Sequence, residues 1–125
     1  MRLTMENLDL KPCTLDFSTC TPKCSELQMD KVFCERLEDA WKIYPFRINS
    51  AFRTPEWERK HGRAGASAHC KGRAVDIATP DSRTRWYVLT ALLKVGFSRL
   101  GLGKAFIHVD DDVCQTRPDR CIFLE

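Results

Sequence analysis

Residues 67–79 read S-A-H-C-K-G-R-A-V-D-I-A-T and join a histidine-bearing loop to a segment of alternating polarity. Gly72 indicates a turn, and the alternation that follows it predicts a short β-strand. On that strand, Asp76 lies between two alanines of the same face, whose small side chains leave space beside its carboxylate. His69 lies on the loop that enters the strand, so its imidazole and the carboxylate are expected to come close together.

A second block, F-I-H-V-D at residues 106–110, shows the same alternation. Successive side chains of a strand point to opposite faces, so His108 and Asp110 are expected to share one face and one cleft. With the first block, this offers two imidazoles and a carboxylate, a set that suits zinc with one coordination position left open. An open position lets the metal hold a water and polarise a carbonyl, which predicts metal-assisted hydrolysis.

A single histidine or aspartate on a strand is usually a hydrogen-bonded or solvated residue. The prediction of a zinc site therefore rests on the occurrence of the two histidines and the aspartate together. A third block, S-A-F-R-T-P-E, precedes the other two at residues 50–56. In order and spacing, residues 27–124 resemble the M15 family of zinc peptidases, the D-Ala-D-Ala carboxypeptidases and L,D-endopeptidases of peptidoglycan. The resemblance is closest to the small single-domain branch of that family.

The resemblance implies a role for each matching residue. His69, Asp76 and His108 correspond to the zinc ligands, which implies one Zn²⁺ per chain. Arg53 corresponds to the arginine that holds a carboxylate or carbonyl of the peptide substrate, for which a planar guanidinium is well shaped. Ser67 is expected to order the ligand loop and to reach the substrate.

One position departs from the family pattern. Many relatives place a general-base glutamate or aspartate three residues before the second histidine, and Ala105 stands there. Asp110 is the nearby catalytic candidate, and two roles are open for it. It is either the acceptor of a proton from the water or a carboxylate that holds a ligand imidazole in the correct tautomer. Asp111 and Asp112, which follow it, are expected to form a solvated acidic turn.

The remaining pattern predicts an α+β fold, in which a small antiparallel sheet carries the zinc site on one face and two main helices pack on the other. The resemblance implies the architecture of the hedgehog proteins and D,D-peptidases. Ser25 and Gln28 form a possible capping box at the start of the first long helix. The expected elements are helices at about residues 26–43, 55–60 and 82–95 and strands at about 46–52, 73–79, 99–102, 106–110 and 121–124.

Length and composition favour one domain. The 125 residues are divided into an N-terminal extension of open role, 1–24, and a single peptidase-like domain, 25–125. The net charge of +3 is small and no basic run is interleaved with aromatic residues, so no nucleic-acid partner is expected. No segment has the length of a membrane span, and a monomer is expected. The first seven residues lack an apolar signal core, which predicts cytoplasmic synthesis and action on the bacterial cell wall after release by an unknown route.

Seven cysteines are unusual for a cytoplasmic chain, in which thiols are normally reduced. Their odd number leaves at least one unpaired if all disulfides are internal. No Cys-x-x-Cys pair occurs, so thiols or partial bridging are favoured over a structural zinc knuckle. Cys114 and Cys121 flank a loop and are candidates for a disulfide if their strands adjoin.

The leading functional hypothesis is a zinc metallopeptidase that hydrolyses peptide bonds in peptidoglycan stem peptides, with a phage or prophage lysin as one setting. Both a D-Ala-D-Ala carboxypeptidase and an endopeptidase that cuts between L-Ala and a D-amino acid fit the motifs. The alternative is a catalytically inactive, zinc-containing module that binds the cell wall, and Ala105 keeps it open. A thiol-rich virion protein that reuses the fold is a third hypothesis.

Overall fold

The computed structural model describes residues 15–114 and 117–125. Within those residues, the chain forms three α-helices: α1 (Lys31–Ile43), α2 (Pro55–Lys60) and α3 (Ser82–Lys94). Its five strands are β1 (Ile48–Ser50), β2 (Ala74–Ala78), β3 (Arg99–Leu102), β4 (Phe106–Asp110) and β5 (Cys121–Leu124). Two 3-10 turns, Glu26–Gln28 and Ala68–Lys71, precede α1 and β2. The predicted α+β class is confirmed.

The five strands form one sheet in the order β1-β2-β4-β3-β5. The pairs β1–β2, β2–β4 and β4–β3 are antiparallel, but β5 runs parallel to β3. The sheet is therefore mixed, and the prediction of a wholly antiparallel sheet is wrong at β5. The reason is that β5 does not pair with β4, the strand that precedes it. Cys121, the first residue of β5, pairs with Arg99, the first residue of β3, so β5 lies at the edge of the sheet and runs in the same direction as β3.

One face of the sheet belongs to the hydrophobic core. Alternate residues of the central strands are fully buried there, among them Val75, Ile77, Ile107 and Val109. They share a cluster with buried side chains of the two long helices, Phe33, Leu37, Val88 and Leu92. Because side chains alternate along a strand, Asp76, His108 and Asp110 are left on the opposite face. This confirms the predicted division into an apolar face under the helices and a polar face that carries the candidate site.

The first long helix begins five residues later than predicted, at Lys31. The Ser25 N–H donates to the Gln28 side chain, as in a capping box, but this motif caps the 3-10 turn. Asp30 caps α1 instead, because its carboxylate accepts a hydrogen bond from the Phe33 N–H at 2.8 Å. None of the helices in residues 15–114 and 117–125 is long and apolar enough to cross a membrane.

The segment that begins at residue 15 lies along the outer edge of β1. Leu15, Phe17 and Cys20 are buried in the main core cluster. The Thr21 N–H donates to the Asn49 carbonyl at 2.9 Å, which ties the segment to the strand. Part of the proposed extension 1–24 thus contributes to the core, while residues 1–14 lie outside the described part. The division at residue 24 stays a prediction.

No disulfide joins two cysteines within residues 15–114 and 117–125. Cys114 and Cys121, the predicted candidates for a disulfide, are not bridged to each other. Cys114 pairs instead with Arg117 in a short backbone bridge, while Cys121 begins β5. Cys13 lies outside the described residues.

Candidate metal centre

Strand register brings two of the predicted ligands side by side. Asp76 of β2 pairs directly with His108 of β4, so both side chains rise from the same row of the polar face. The third, His69, lies on the 3-10 turn Ala68–Lys71, just before β2. One donor atom from each of the three lies within 4.8 Å of the donor atoms of the other two. The structure therefore brings together the three residues that the sequence analysis singled out.

His69 is held with one nitrogen toward the centre. Its Nδ1 lies 2.6 Å from the Ala51 carbonyl oxygen, which can only accept a hydrogen bond, so Nδ1 is the protonated nitrogen. Its Nε2 lies 3.4 Å from Asp76 Oδ1. Gly72 ends the turn at φ 69°, and a Cβ there would lie 2.4 Å from the Gln28 carbonyl oxygen. Glycine is thus needed at this position for both backbone conformation and space.

His108 lies between two carboxylates. Its Nδ1 is 3.0 Å from Asp76 Oδ1, and its Nε2 is 2.7 Å from Asp110 Oδ2. Burial lowers the pKa of His108, but the hydrogen bonds to Asp110 and Asp76 outweigh burial and raise this pKa to about 9. The Nδ1 atom faces the same space as His69 Nε2, so Nδ1 is the nitrogen available to a metal.

Asp76 supplies the carboxylate of the centre. Its Oδ1 is the atom nearest to both imidazoles, and its Oδ2 accepts a hydrogen bond from Arg53 Nη2 at 3.0 Å. Burial raises the pKa of Asp76, but the hydrogen bonds to His108 and His69 hold this pKa well below its usual range. The carboxylate is therefore anionic at neutral pH, as a group that holds a metal cation must be.

Arg53 lies behind Asp76 and is itself buried, with 8% of the residue exposed. Its Nε donates to Ser50 Oγ at 3.1 Å and its Nη1 to Glu58 Oε2 at 3.3 Å. Its guanidinium carbon also lies 5.3 Å from the centre of the Trp57 ring. Each guanidinium nitrogen thus has an acceptor within the protein, and the group that was expected to bind substrate is already engaged.

Glu58 was missed by the sequence analysis. It is 0% exposed, and it accepts hydrogen bonds from Arg53 and from the Ser67 hydroxyl. Burial raises the pKa of Glu58, but its hydrogen bonds with Ser67, Cys70 and Arg53 hold it below the usual value. A glutamate in a six-residue polar helix gives no sequence signal of burial. Through its hydrogen bond with Glu58, Ser67 ties the loop that carries His69 to α2.

Asp110 is fully occupied by hydrogen bonds. Its Oδ2 lies against His108 Nε2, while Oδ1 accepts from Arg99 Nε at 2.7 Å and from the Asp112 N–H at 3.1 Å. Only 3% of the residue is exposed. Burial raises the pKa of Asp110, but hydrogen bonds with His108 and Arg99 hold it below its usual value. Of the two roles open for this residue, these contacts favour the carboxylate that fixes the ligand imidazole.

The two aspartates after Asp110 do not form a solvated turn. Asp112 is buried and pairs with Lys71 at 3.0 Å and with Arg117. Asp111 accepts a hydrogen bond from Arg73 Nε at 2.8 Å. The expectation was wrong because it ignored the basic residues on either side of Gly72, which these aspartates bind. The pairs join the segment after β4 to the turn that carries His69.

The donor set fits zinc, which prefers imidazole nitrogen and carboxylate oxygen in a four-coordinate site. The model of the peptidase M15 family matches residues 2–110. The chain belongs to the peptidase M15 family. A comparison with curated proteins finds no match. M15 peptidases depend on zinc, and family membership supports a zinc metallopeptidase kind of function. The matched residues contain the His69, Asp76 and His108 group and end before β5.

Proposed function

We propose that this protein is a zinc metallopeptidase that hydrolyses peptide bonds in peptidoglycan stem peptides. The observation that carries the proposal is the convergence of His69, Asp76 and His108 within 4.8 Å, in a chain of the peptidase M15 family. The substrate class rests on the resemblance to D-Ala-D-Ala carboxypeptidases and L,D-endopeptidases. Carboxypeptidase action would suit wall remodelling, and endopeptidase action would suit a phage or prophage lysin.

His69 Nε2, Asp76 Oδ1 and His108 Nδ1 would hold the metal. When bound, zinc lowers the pKa of a water molecule and polarises the peptide carbonyl. The chain prepares the two imidazoles for this role. The Ala51 carbonyl accepts the Nδ1 proton of His69, and Asp110 accepts the Nε2 proton of His108. These contacts fix each tautomer and leave the other nitrogen for the metal.

We assign Arg53 to the positioning of Asp76. Three of the five N–H groups of an arginine are engaged here, by Ser50, Glu58 and Asp76. Little of the residue is exposed, so any contact with substrate is limited to the N–H groups that remain. Ser67 supports the same arrangement, because its hydroxyl donates to Glu58.

The second candidate function is a zinc-containing module that binds the cell wall without cutting it. Two observations favour it. Ala105 has no group that can accept a proton, and both oxygens of Asp110 are already hydrogen-bonded. Such a module would sediment with peptidoglycan and release no new amino groups.

The deciding experiment measures zinc content together with the release of amines from purified peptidoglycan. Wild-type protein is compared with His108→Ala and with His61→Ala, an exposed histidine outside the centre. We expect one zinc per chain and amine release in the wild type and in His61→Ala, and neither in His108→Ala. Zinc without release would favour the binding module, while absence of zinc from the wild type would overturn both functions. Mass analysis of the fragments would identify the bond.

A further inference from the structure

Hydrolysis of a peptide bond requires an acceptor for the proton of the attacking water. The two positions that the sequence suggests do not supply it. Ala105 is not ionisable, and Asp110 lies on the Nε2 side of His108, away from the nitrogen that faces the centre. Glu58 is near the site but fully buried, with Arg53 and Ser67 as its partners. A carboxylate on the Nδ1 side of His108, other than that of Asp76, would meet this requirement.

Glu125 brings another carboxylate to the centre. It directly follows β5, and its N–H donates to the Leu102 carbonyl at 3.0 Å, which continues the pairing with β3. Its Oε1 lies 3.8 Å from His108 Nδ1, the nitrogen that also faces Asp76. The Glu125 side chain is 36% exposed, against 3% for Asp110. Glu125 is thus next to the ligands and accessible to water.

β3 lies between β4 and β5, and its Gly101 leaves space for the Glu125 side chain. Gly101 of β3 pairs with His108 on one side and with Phe123 on the other. A Cβ at Gly101 would lie 3.0 Å from Cγ and Oε1 of Glu125 and 2.5 Å from a ring carbon of Phe123. Gly101 has no positive φ, so its backbone would accept other residues. Glycine is required here for the space that the Glu125 carboxylate and the Phe123 ring occupy.

We propose that Glu125 is the general base of the reaction, an inference that rests on the proposed peptidase function. Its carboxylate takes a proton from the attacking water while the water oxygen forms a bond with the carbonyl carbon of the substrate. The C–N bond then breaks, and the proton passes from Glu125 to the leaving nitrogen. One water is consumed, and the carboxylic acid and the amine that form exchange a proton to leave as a carboxylate and an ammonium group. The family match ends at residue 110, so it assigns no role to Glu125.

The test is Glu125→Gln, which keeps the shape of the side chain and removes its basicity. Glu35→Gln is the matched control, since Glu35 is an exposed glutamate of α1. Zinc affinity is measured by competition with a chelating dye, and kcat and KM are measured on a stem peptide. We expect Glu125→Gln to keep one zinc per chain, with Kd changed less than about threefold, and to lose about 10²–10⁴-fold in kcat. Glu35→Gln should match the wild type in both measurements.

Two results would overturn the proposal. Wild-type kcat in Glu125→Gln would show that the carboxylate takes no part in the proton transfer. Loss of zinc from the same variant would show that Glu125 is a metal ligand, whatever the kcat. Failure of the underlying function has a different signature, because wild-type protein would then bind zinc and release no amine at all.

Discussion

The two nitrogens of His108 face two unlike halves of the same site. On the Nε2 side, Asp110 is buried and saturated by Arg99 and by the Asp112 N–H. On the Nδ1 side, Asp76 and the more exposed Glu125 both approach the ring. The first half holds the imidazole in place, and the second leaves donor atoms for a ligand. A carboxylate beside His108 can therefore either hold the ring in place or stay available to a bound group, according to which of its oxygens are already engaged.

The two halves also differ in charge balance. Asp110 is matched by the adjacent Arg99 at 2.7 Å. On the other side, Asp76 and Glu125 bring two carboxylates, and the nearby Arg53 is shared with Glu58. The Nδ1 half therefore has an excess of negative charge, which favours a cation there.

The largest expected effect comes from removing a carboxylate on the Nδ1 side of His108. Asp76→Ala removes one of three ligands and leaves Arg53 with one carboxylate fewer. We expect loss of stoichiometric zinc and of all measurable amine release, with both measured on the folded, purified protein. Asp39→Ala, at an exposed position of α1, serves as the control and should retain both. Stoichiometric zinc in Asp76→Ala would count strongly against the ligand assignment.

The Nε2 side of His108 is tested by Asp110→Asn. The change keeps the size of the side chain but removes the anion that orients His108, so zinc affinity should fall about 10–100-fold, and turnover with it. Asp119→Asn, at an exposed position outside the site, should leave both unchanged. If zinc affinity were undiminished and turnover were lost, Asp110 would not be needed to orient His108 and would be the proton acceptor instead.

Arg53→Lys probes the support behind Asp76. Lysine keeps the charge but not the three-way contact with Ser50, Glu58 and Asp76, so zinc affinity should fall about tenfold. The KM for a stem peptide should change little once the protein is saturated with zinc. A raised KM with normal zinc affinity would show that Arg53 binds substrate, as the sequence analysis predicted.

A smaller effect concerns pH. In the metal-free protein the pKa of His108 is raised to about 9, because hydrogen bonds to Asp110 and Asp76 outweigh the opposing effect of burial. The ring is therefore protonated at pH 7, and zinc must displace that proton. Zinc binding at neutral pH should release about one proton more from His108 than zinc binding above about pH 10, where the ring is already neutral, so apparent affinity rises with pH in between. Calorimetry in buffers of different ionisation enthalpy measures this proton release. If no proton were released at pH 7, the hydrogen bonds of His108 to Asp110 and Asp76 would not raise its pKa as described.

Alternation and motif spacing were enough to predict the strands that carry Asp76 and His108 and the loop that carries His69. They were enough because these patterns are local, and a period of two fixes which face a side chain occupies. The pairing of Asp110 with Arg99 was out of reach, since alternation does not reveal which strand lies alongside. The approach of Glu125 depends on a strand order that places β3 between β4 and β5 and on a missing side chain at Gly101.

The register between β2 and β4 links folding to the assembly of the centre. Val75 pairs with Val109 on the apolar face, and the next pair, Asp76 with His108, stands on the polar face. A slip of β2 by one residue would turn both its valine and its aspartate to the wrong side. The misaligned chain would lose core burial at the same time as it lost a ligand. The register that buries the valines is therefore the same register that places Asp76 beside His108, so hydrophobic packing also selects the pairing that forms the site.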